Sequence, residues 1–184
     1  MPHFKPLTIS FYLQALLLIM ISIPATIHCR TFLPNSGKLI ETTCKNTPNY
    51  NVCFQSLKAS PGGSGADVTG LAQIMVRVMK AKANDALNVI HELQKVKIGL
   101  GTEQRRALSS CADKYRAILI GDIPQATEAL QKGDPKFAED GANDAANEAT
   151  YCESEFSGKS LLTKQNNVMH DVAAVTGAIV RMLL

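Results

Sequence analysis

The sequence predicts an all-α protein: an up-down-up-down four-helix bundle with an N-terminal helical hairpin and two intrachain disulfides. Three observations lead there. Beyond residue 37, apolar residues recur at three-and-four spacing and strand-like alternation is nearly absent. The same region holds four cysteines, Cys44, Cys53, Cys111 and Cys152. Breaks rich in glycine or proline divide it into helix-length segments joined by short loops.

The first thirty residues stand apart. Residues 1–8 carry one lysine and no acid, FYLQALLLIMISI at 11–23 carries no charge, and Pro24, Ala25 and small or polar residues follow up to Cys29. These are the parts of a secretory signal peptide, expected over residues 1–29 with cleavage between about Ala25 and Arg30. The apolar run is shorter than the roughly 20 residues that span a bilayer, so no membrane association is expected once the signal is removed. The remainder, about 155 residues, suits a single domain with a real core. That domain is expected over residues 37–184, with a hairpin at 37–59 and a bundle at 68–184.

An even cysteine count in a secreted chain implies disulfides, with three possible connectivities. Spacing favours one. On a continuous helix Cys44 and Cys53 would stand about 13.5 Å apart, whereas a disulfide needs Cα atoms at about 4.4–6.8 Å. If they pair, the chain reverses between them, and KNTPNYN supplies the means. Thr47 is suited to a cap, Pro48 to a first helical position, and the asparagines to turns. Cys111 shares a helical stripe with Leu108, Tyr115 and Ile118; Cys152 shares one with Ala138, Ala142, Ala145, Ala149 and Phe156. Packing the two stripes together would join them. The longer closure contributes about 4 kcal/mol and the shorter about 2.7 kcal/mol by the chain-entropy model. A zinc site is not expected, because there is no CxxC pair and His91 and His170 lie far from any ligand spacing.

The remaining elements follow in order. SPGGSGAD at 60–67 reads as a flexible connector, and no Gly-Lys-Ser/Thr follows to make it a phosphate loop. Leu71, Ile74, Met75, Val78, Ala86, Val89, Ile90 and Leu93 mark a long helix that stops near KIGLG at 97–101. Thr102 and Glu103 open the next, which runs towards Gln131 with a kink or brief break expected at Gly121 and Pro124. Gly133 ends it. A third helix covers about 136–155. In the last, Val168, Val172, Val175, Ile179 and Met182 or Leu183 are expected to face inward, and Met75, Met79, Met169 and Met182 are read as core packing.

Composition narrows the function. The mature chain carries 18 Lys and Arg against 16 Asp and Glu, a weak +2 balance, with no basic stripe interleaved with aromatics, so nucleic acid is not an expected partner. Residues 138–155 hold six acids (Glu139, Asp140, Asp144, Glu148, Glu153, Glu155) and no Lys or Arg, which reads as a solvated helix face. No Glu-x-x-His pair points to a di-metal site, and no GxSxG points to a nucleophile elbow; Ser64 in GGSGA lacks the strand-to-helix context. No cofactor is implied, and a binding module fits better than an enzyme.

GDPKFAEDG at 133–141 is the most unusual stretch. In a chain with 5% aromatic residues and no Trp, Phe137 stands in a polar interhelical turn beside Lys136 and Pro135. Asp134 reads as an N-cap with Pro135 at the first helical position. By residue type alone, Phe137 is either an anchor beneath the loop or a projection towards a partner.

The cysteine frame, with eight residues between Cys44 and Cys53 and forty between Cys111 and Cys152, resembles that of the plant invertase/pectin methylesterase inhibitor family. The resemblance runs from about Leu39 to Leu184. IETTCKNTPNYNVC at 40–53, AKAND at 81–85, KGDPKFAEDG at 132–141 and the terminal GAIVRMLL are similar to the cell-wall invertase inhibitors within that family. NDAANEATYC in the acidic helix need not match any one relative in detail. The resemblance implies the same bundle-plus-hairpin fold and the two disulfides Cys44–Cys53 and Cys111–Cys152. It implies a 1:1 complex with an acid invertase, of the cell wall or the vacuole, and residence in the apoplast or alternatively the vacuole. It further implies that Pro135, Lys136 and Phe137, led in by Asp134, enter the enzyme's active-site cleft and occlude sucrose. Alternatives on the same fold are inhibition of pectin methylesterase through a helical face, and a non-inhibitory secreted helical module.

Overall fold

A computed structural model describes residues 36–96 and 99–184. The signal-peptide expectation for residues 1–29 lies outside the described residues, as do Lys97 and Ile98 in the loop predicted at 97–101. Seven α-helices follow in order: α1 (Ser36–Lys45), α2 (Tyr50–Ala59), α3 (Val68–Lys95), α4 (Thr102–Ala117), α5 (Ile123–Lys132), α6 (Pro135–Ser154) and α7 (Thr163–Arg181). Among the described residues there are no strands, and no helix is long and apolar enough to cross a membrane.

The helices α1 and α2 form the predicted hairpin, clipped by Cys44–Cys53 with Cα atoms 5.5 Å apart. The cap differs from expectation. Asn49, not Thr47, caps α2, accepting from the Val52 N–H at 3.2 Å. Pro48 therefore precedes the cap and is not the first helical residue. The Thr47 hydroxyl instead donates back to the Cys44 carbonyl at 2.8 Å. Asn49 prevails because a carboxamide can cap and donate at once: its Nδ2 also reaches Asp171 on α7 at 3.1 Å. The 60–67 connector is corrected too. It contains a 3₁₀ turn at Gly63–Gly65 whose first glycine is buried. A Cβ at Gly63 would lie 2.3 Å from the Leu57 carbonyl oxygen, so the segment packs beneath the hairpin.

The four-helix bundle comprises α3, the α4–α5 run, α6 and α7. Residues 102–132 stay helical throughout, and the kink or brief break expected at Gly121 and Pro124 takes the form of a π turn at Ile118–Asp122, which contains Gly121. The Ile123 N–H bonds the Ile118 carbonyl, five residues back, just before Pro124, which has no N–H to offer. The stripe Leu71–Ile90 on α3 and the stripe from Leu108 on α4 to Ile118 of the π turn supply most of the large core side chains, including Met75, Met79, Tyr115 and Ile118. Ala138, Ala142, Ala145 and Ala149 are all buried, which lets α6 approach its neighbours closely. Cys111 and Cys152 join α4 to α6 with Cα atoms 4.8 Å apart. On α7 the buried face is Met169, Val172, Val175, Ile179 and Val180. Val168 and Met182 lie outside it, 38% and 37% exposed, because that face centres one residue on from the expected stripe at its N-terminal end. A polar chain crosses the same layer: the Tyr115 hydroxyl donates to Asn166 at 2.9 Å, and Asn166 Nδ2 donates to Glu153 at 2.6 Å. Burial, with the nearby Glu153 charge, pushes the Tyr115 hydroxyl well above its ordinary range.

Candidate functional site

The turn between α5 and α6 is built by local backbone chemistry. Gly133 adopts the left-handed conformation (φ 75°, ψ 30°), which ends α5 without the steric cost of a side chain. The Ala129 carbonyl accepts from the Gly133 N–H and, at 2.9 Å, from the Asp134 N–H. Asp134 and Pro135 occupy the cap and first helical positions as the spacing predicts, but the Asp134 side chain makes no capping hydrogen bond. The residue is exposed, so solvent competes for its carboxylate. Its backbone closes the first turn instead, the carbonyl accepting from Ala138 N–H at 3.4 Å.

Phe137 is 57% exposed, so it is not an anchor beneath the turn. Other surface aromatics have company: Tyr50 stacks on Phe54 at 5.6 Å, and Tyr151 lies 5.8 Å from the Lys114 ammonium. Among the described residues Phe137 has no such ring or cation contact. Its backbone is nevertheless held, since Gln125 Nε2 donates to the Phe137 carbonyl at 3.2 Å. Phe137 borders a groove of about 450 Å³ with Gln125, Glu128, Ala129, Lys132 and Asp134.

Lys136 is exposed but not a free cation. Its Nζ lies 2.7 Å from Asp140 and 3.4 Å from Glu139. The Asp140 and Glu139 hydrogen bonds raise its pKa above the ordinary lysine value. Glu139 is the pivot. It is 6% exposed, and its Oε1 accepts from Arg181 Nε at 2.8 Å and Nη2 at 2.6 Å. The Arg181 hydrogen bond holds the Glu139 carboxyl below its ordinary range, although burial opposes this. The turn is thus tied to α5 through Gln125 and to the end of α7 through Glu139 and Arg181.

The structure brings Asp134, Pro135, Lys136 and Phe137 together in one exposed turn, while the disulfides lie in the core. Gln125 and Arg181 were not singled out by sequence reasoning, and Glu139 was read only as part of a solvated helix face; no spacing rule marks the Glu139–Arg181 or Gln125–Phe137 contact. The acidic run at 138–155 is corrected accordingly. Glu139 is buried, Glu153 accepts from Thr163 and Asn166, and Glu155 accepts from Ser110 at 2.8 Å and pairs with Lys114 at 3.5 Å. Half of that run clasps α6 to α4 and α7; it is not a wholly solvated face. His170 is exposed, 3.7 Å from Asp171, and His91 is half-buried on α3. Among the described residues no group of three or more His, Cys, Asp and Glu is placed to hold a metal.

Comparison with known proteins places this geometry in context. The family model for plant invertase/pectin methylesterase inhibitor matches residues 38–179. Cell wall / vacuolar inhibitor of fructosidase 1 from Arabidopsis thaliana is 43% identical over 145 residues, covering 79% of this chain and 69% of that protein. Pectinesterase inhibitor 2, also from Arabidopsis thaliana, is 29% identical over 97 residues, covering 53% of this chain and 54% of that protein. The crystal structure of mutant form A of a pectin methylesterase inhibitor from Arabidopsis superposes with a TM-score of 0.66 at 21% identity. It covers 79% of this chain and 97% of that one, and shows a shared fold.

Proposed function

This chain belongs to the plant invertase/pectin methylesterase inhibitor family, and from that premise we propose that it inhibits an acid invertase by inserting the Asp134–Phe137 turn into the sucrose site. The observation that carries this reading is Phe137: an exposed aromatic with no ring or cation contact among the described residues, at the tip of a turn anchored from both sides. The relative named as an inhibitor of fructosidase, at 43% identity, supports the choice of target.

The physical fit is direct. Retaining glycosidases flank the scissile bond with two carboxyl groups, so the cleft is acidic. Lys136 brings an ammonium to it, exchanging the Asp140 and Glu139 carboxylates for those of the enzyme. Phe137 offers a flat apolar face where a sugar ring would lie. Pro135, Gly133 and the Gln125 bond restrict the turn beforehand, which reduces the ordering cost of association. The inhibitor itself performs no chemistry in this reading. It forms a 1:1 complex, and the signal read at residues 1–29 delivers it to the cell wall or the vacuole, as the name of that relative suggests.

The test is a titration of the oxidised protein against an acid invertase and a pectin methylesterase, with Lys136→Ala and Phe137→Ala alongside. Wild type is expected to inhibit invertase, Lys136→Ala to weaken it, and Phe137→Ala to lose about thirtyfold, as for a buried aromatic anchor. Phe137→Ala should melt at the wild-type temperature, since so exposed a ring adds little to the core. An uninhibited invertase, or two variants as potent as wild type, would overturn the mechanism. Selective inhibition of pectin methylesterase, insensitive to both variants, is the outcome expected of the second reading, in which a helical face binds. The relatives named pectinesterase inhibitors favour that reading less, because they match shorter stretches of this chain.

A further inference from the structure

Asp122 ends the π turn at Ile118–Asp122 and faces the middle of α6. Its Oδ2 is the one buried side-chain nitrogen or oxygen without a hydrogen-bond partner among the described residues. The backbone leaves little slack there: a Cβ at Gly141 would stand 2.8 Å from the Asp122 carbonyl oxygen and 3.3 Å from the Ala126 nitrogen. The turn and α6 are therefore in close backbone contact, with a half-buried carboxyl group beside the seam. The same seam runs on through α5 and α6 to the 133–137 turn.

Four helices contact the π turn that ends at Asp122. From α6, Asp144 and Glu148 are the two charges that act on its carboxyl, and both disfavour ionisation. Arg77 and Lys80 of α3 line the neighbouring groove with Leu119 and Ile123. Arg116 at the end of α4 pairs with Asp113 at 2.7 Å, and Glu128 of α5 pairs with Lys132. None of these cations or acids is among the charges that act on Asp122.

We propose that Asp122 is a proton-operated brace of the α5–α6 hairpin, tight when its carboxyl is neutral and loosened when it ionises against Asp144 and Glu148. A neutral carboxyl is tolerated in a partly dry site, whereas an ionised one is short of solvent at Oδ2 and has no counter-charge among the charges that act on it. Burial, then Asp144 and Glu148, push the Asp122 carboxyl from its ordinary 3.8 up to about 6. The sign follows from proton linkage: the folded state holds this proton more tightly than the unfolded state, so stability falls as pH rises. The penalty is absent below the ordinary value of 3.8, grows from there to about 6, and is fully present above. The brace does not depend on which enzyme the turn meets.

The experiment is equilibrium unfolding of the oxidised wild type and Asp122→Asn from pH 4 to pH 7.5, with no enzyme present. The ratio of their unfolding constants isolates Asp122 from the other acids. It is expected to change little at the acid end and to rise on the order of tenfold by pH 7.5, the half-buried site being partly screened. A flat ratio overturns the proposal. Asp144→Asn/Glu148→Gln leaves Asp122 in place and should move the rise to lower pH; an unmoved midpoint overturns the assignment to α6. Amide hydrogen exchange at residues 134–142, corrected for intrinsic rates, reads the link to the turn. At pH 7.5 these amides should exchange faster in wild type than in Asp122→Asn, and equal protection overturns that link.

Discussion

Glu139 on α6 and Asp122 at the end of the π turn each have a carboxyl oxygen out of solvent, and the fold treats them in opposite ways. Glu139 accepts two bonds from Arg181 and one from Lys136, and is held ionised. Asp122 faces two further carboxylates with one oxygen unpartnered, and is held towards its neutral form. Burial opposes ionisation at both; at Glu139 the Arg181 and Lys136 bonds outweigh it, while at Asp122 it is the larger cause and Asp144 and Glu148 add to it. The comparison also separates two parts of one helix: the N-terminus of α6 is electrostatically clasped, while its middle is repulsive.

The largest expected effect tests whether helix register creates the contrast. The Cys111–Cys152 disulfide ties α4 to α6 and so sets how the π turn meets Asp144 and Glu148. Cys111→Ala/Cys152→Ala should cost about 4 kcal/mol by the chain-entropy estimate. Chemical denaturation measures this, and a loss below half that size would mean packing alone sets the register. Opening the Cys44–Cys53 clip instead should cost about 2.7 kcal/mol and leave the contrast intact.

Next comes the clasp itself. Glu139→Gln removes the charge that Arg181 and Lys136 share, and should cost about 1–3 kcal/mol at neutral pH, as for other charged hydrogen bonds. Its pH signature is opposite to that of Asp122. A carboxyl whose folded-state pKa is depressed stabilises the fold above its ordinary value of 4.5, and that stability is lost as pH falls through the folded value. Wild type should therefore lose stability at both limbs, on acidification through Glu139 and as pH rises from 3.8 to about 6 through Asp122. Glu139→Gln should flatten the acid limb alone. Melting curves across pH resolve the two, and a variant that alters both limbs would merge what the comparison keeps apart.

The smallest effect concerns Lys136. Asp140 is its nearest partner and competes with any carboxylate on a target. Asp140→Asn should tighten inhibition of invertase about twofold to threefold, in keeping with the modest worth of exposed ion pairs. High salt should compress that difference. Weaker inhibition by Asp140→Asn would show that Asp140 orients Lys136 and does not restrain it.

Much of this was legible in the residue order. Periodicity located every helix of the bundle because a core-facing stripe must recur with the helical turn, and the Cys111 and Cys152 stripes are buried residue for residue. The turn at 133–137 was legible because Gly and Pro act on the backbone locally: Gly133 is left-handed and Pro135 opens α6. Edges were less legible. Val168 and Met182 fell on the margin of a broad buried face, where a one-residue rotation decides exposure. Asn49 displaced Thr47 as a cap because it also meets Asp171, a residue 122 positions away.

What the sequence determined by itself, then, was what short-range physics decides: helix periods, chain reversals, the stop at Gly133, and a cysteine frame that suited helix-to-helix disulfides. Tertiary structure alone decided the charges. Glu139 and Glu148 stand in the same acidic run with no mark to tell them apart. One meets Arg181 from the far end of α7, and the other meets Asp122 from the π turn. Whether a carboxylate is clasped or opposed depends on which distant helix end packs against it, and that depends on the fold as a whole.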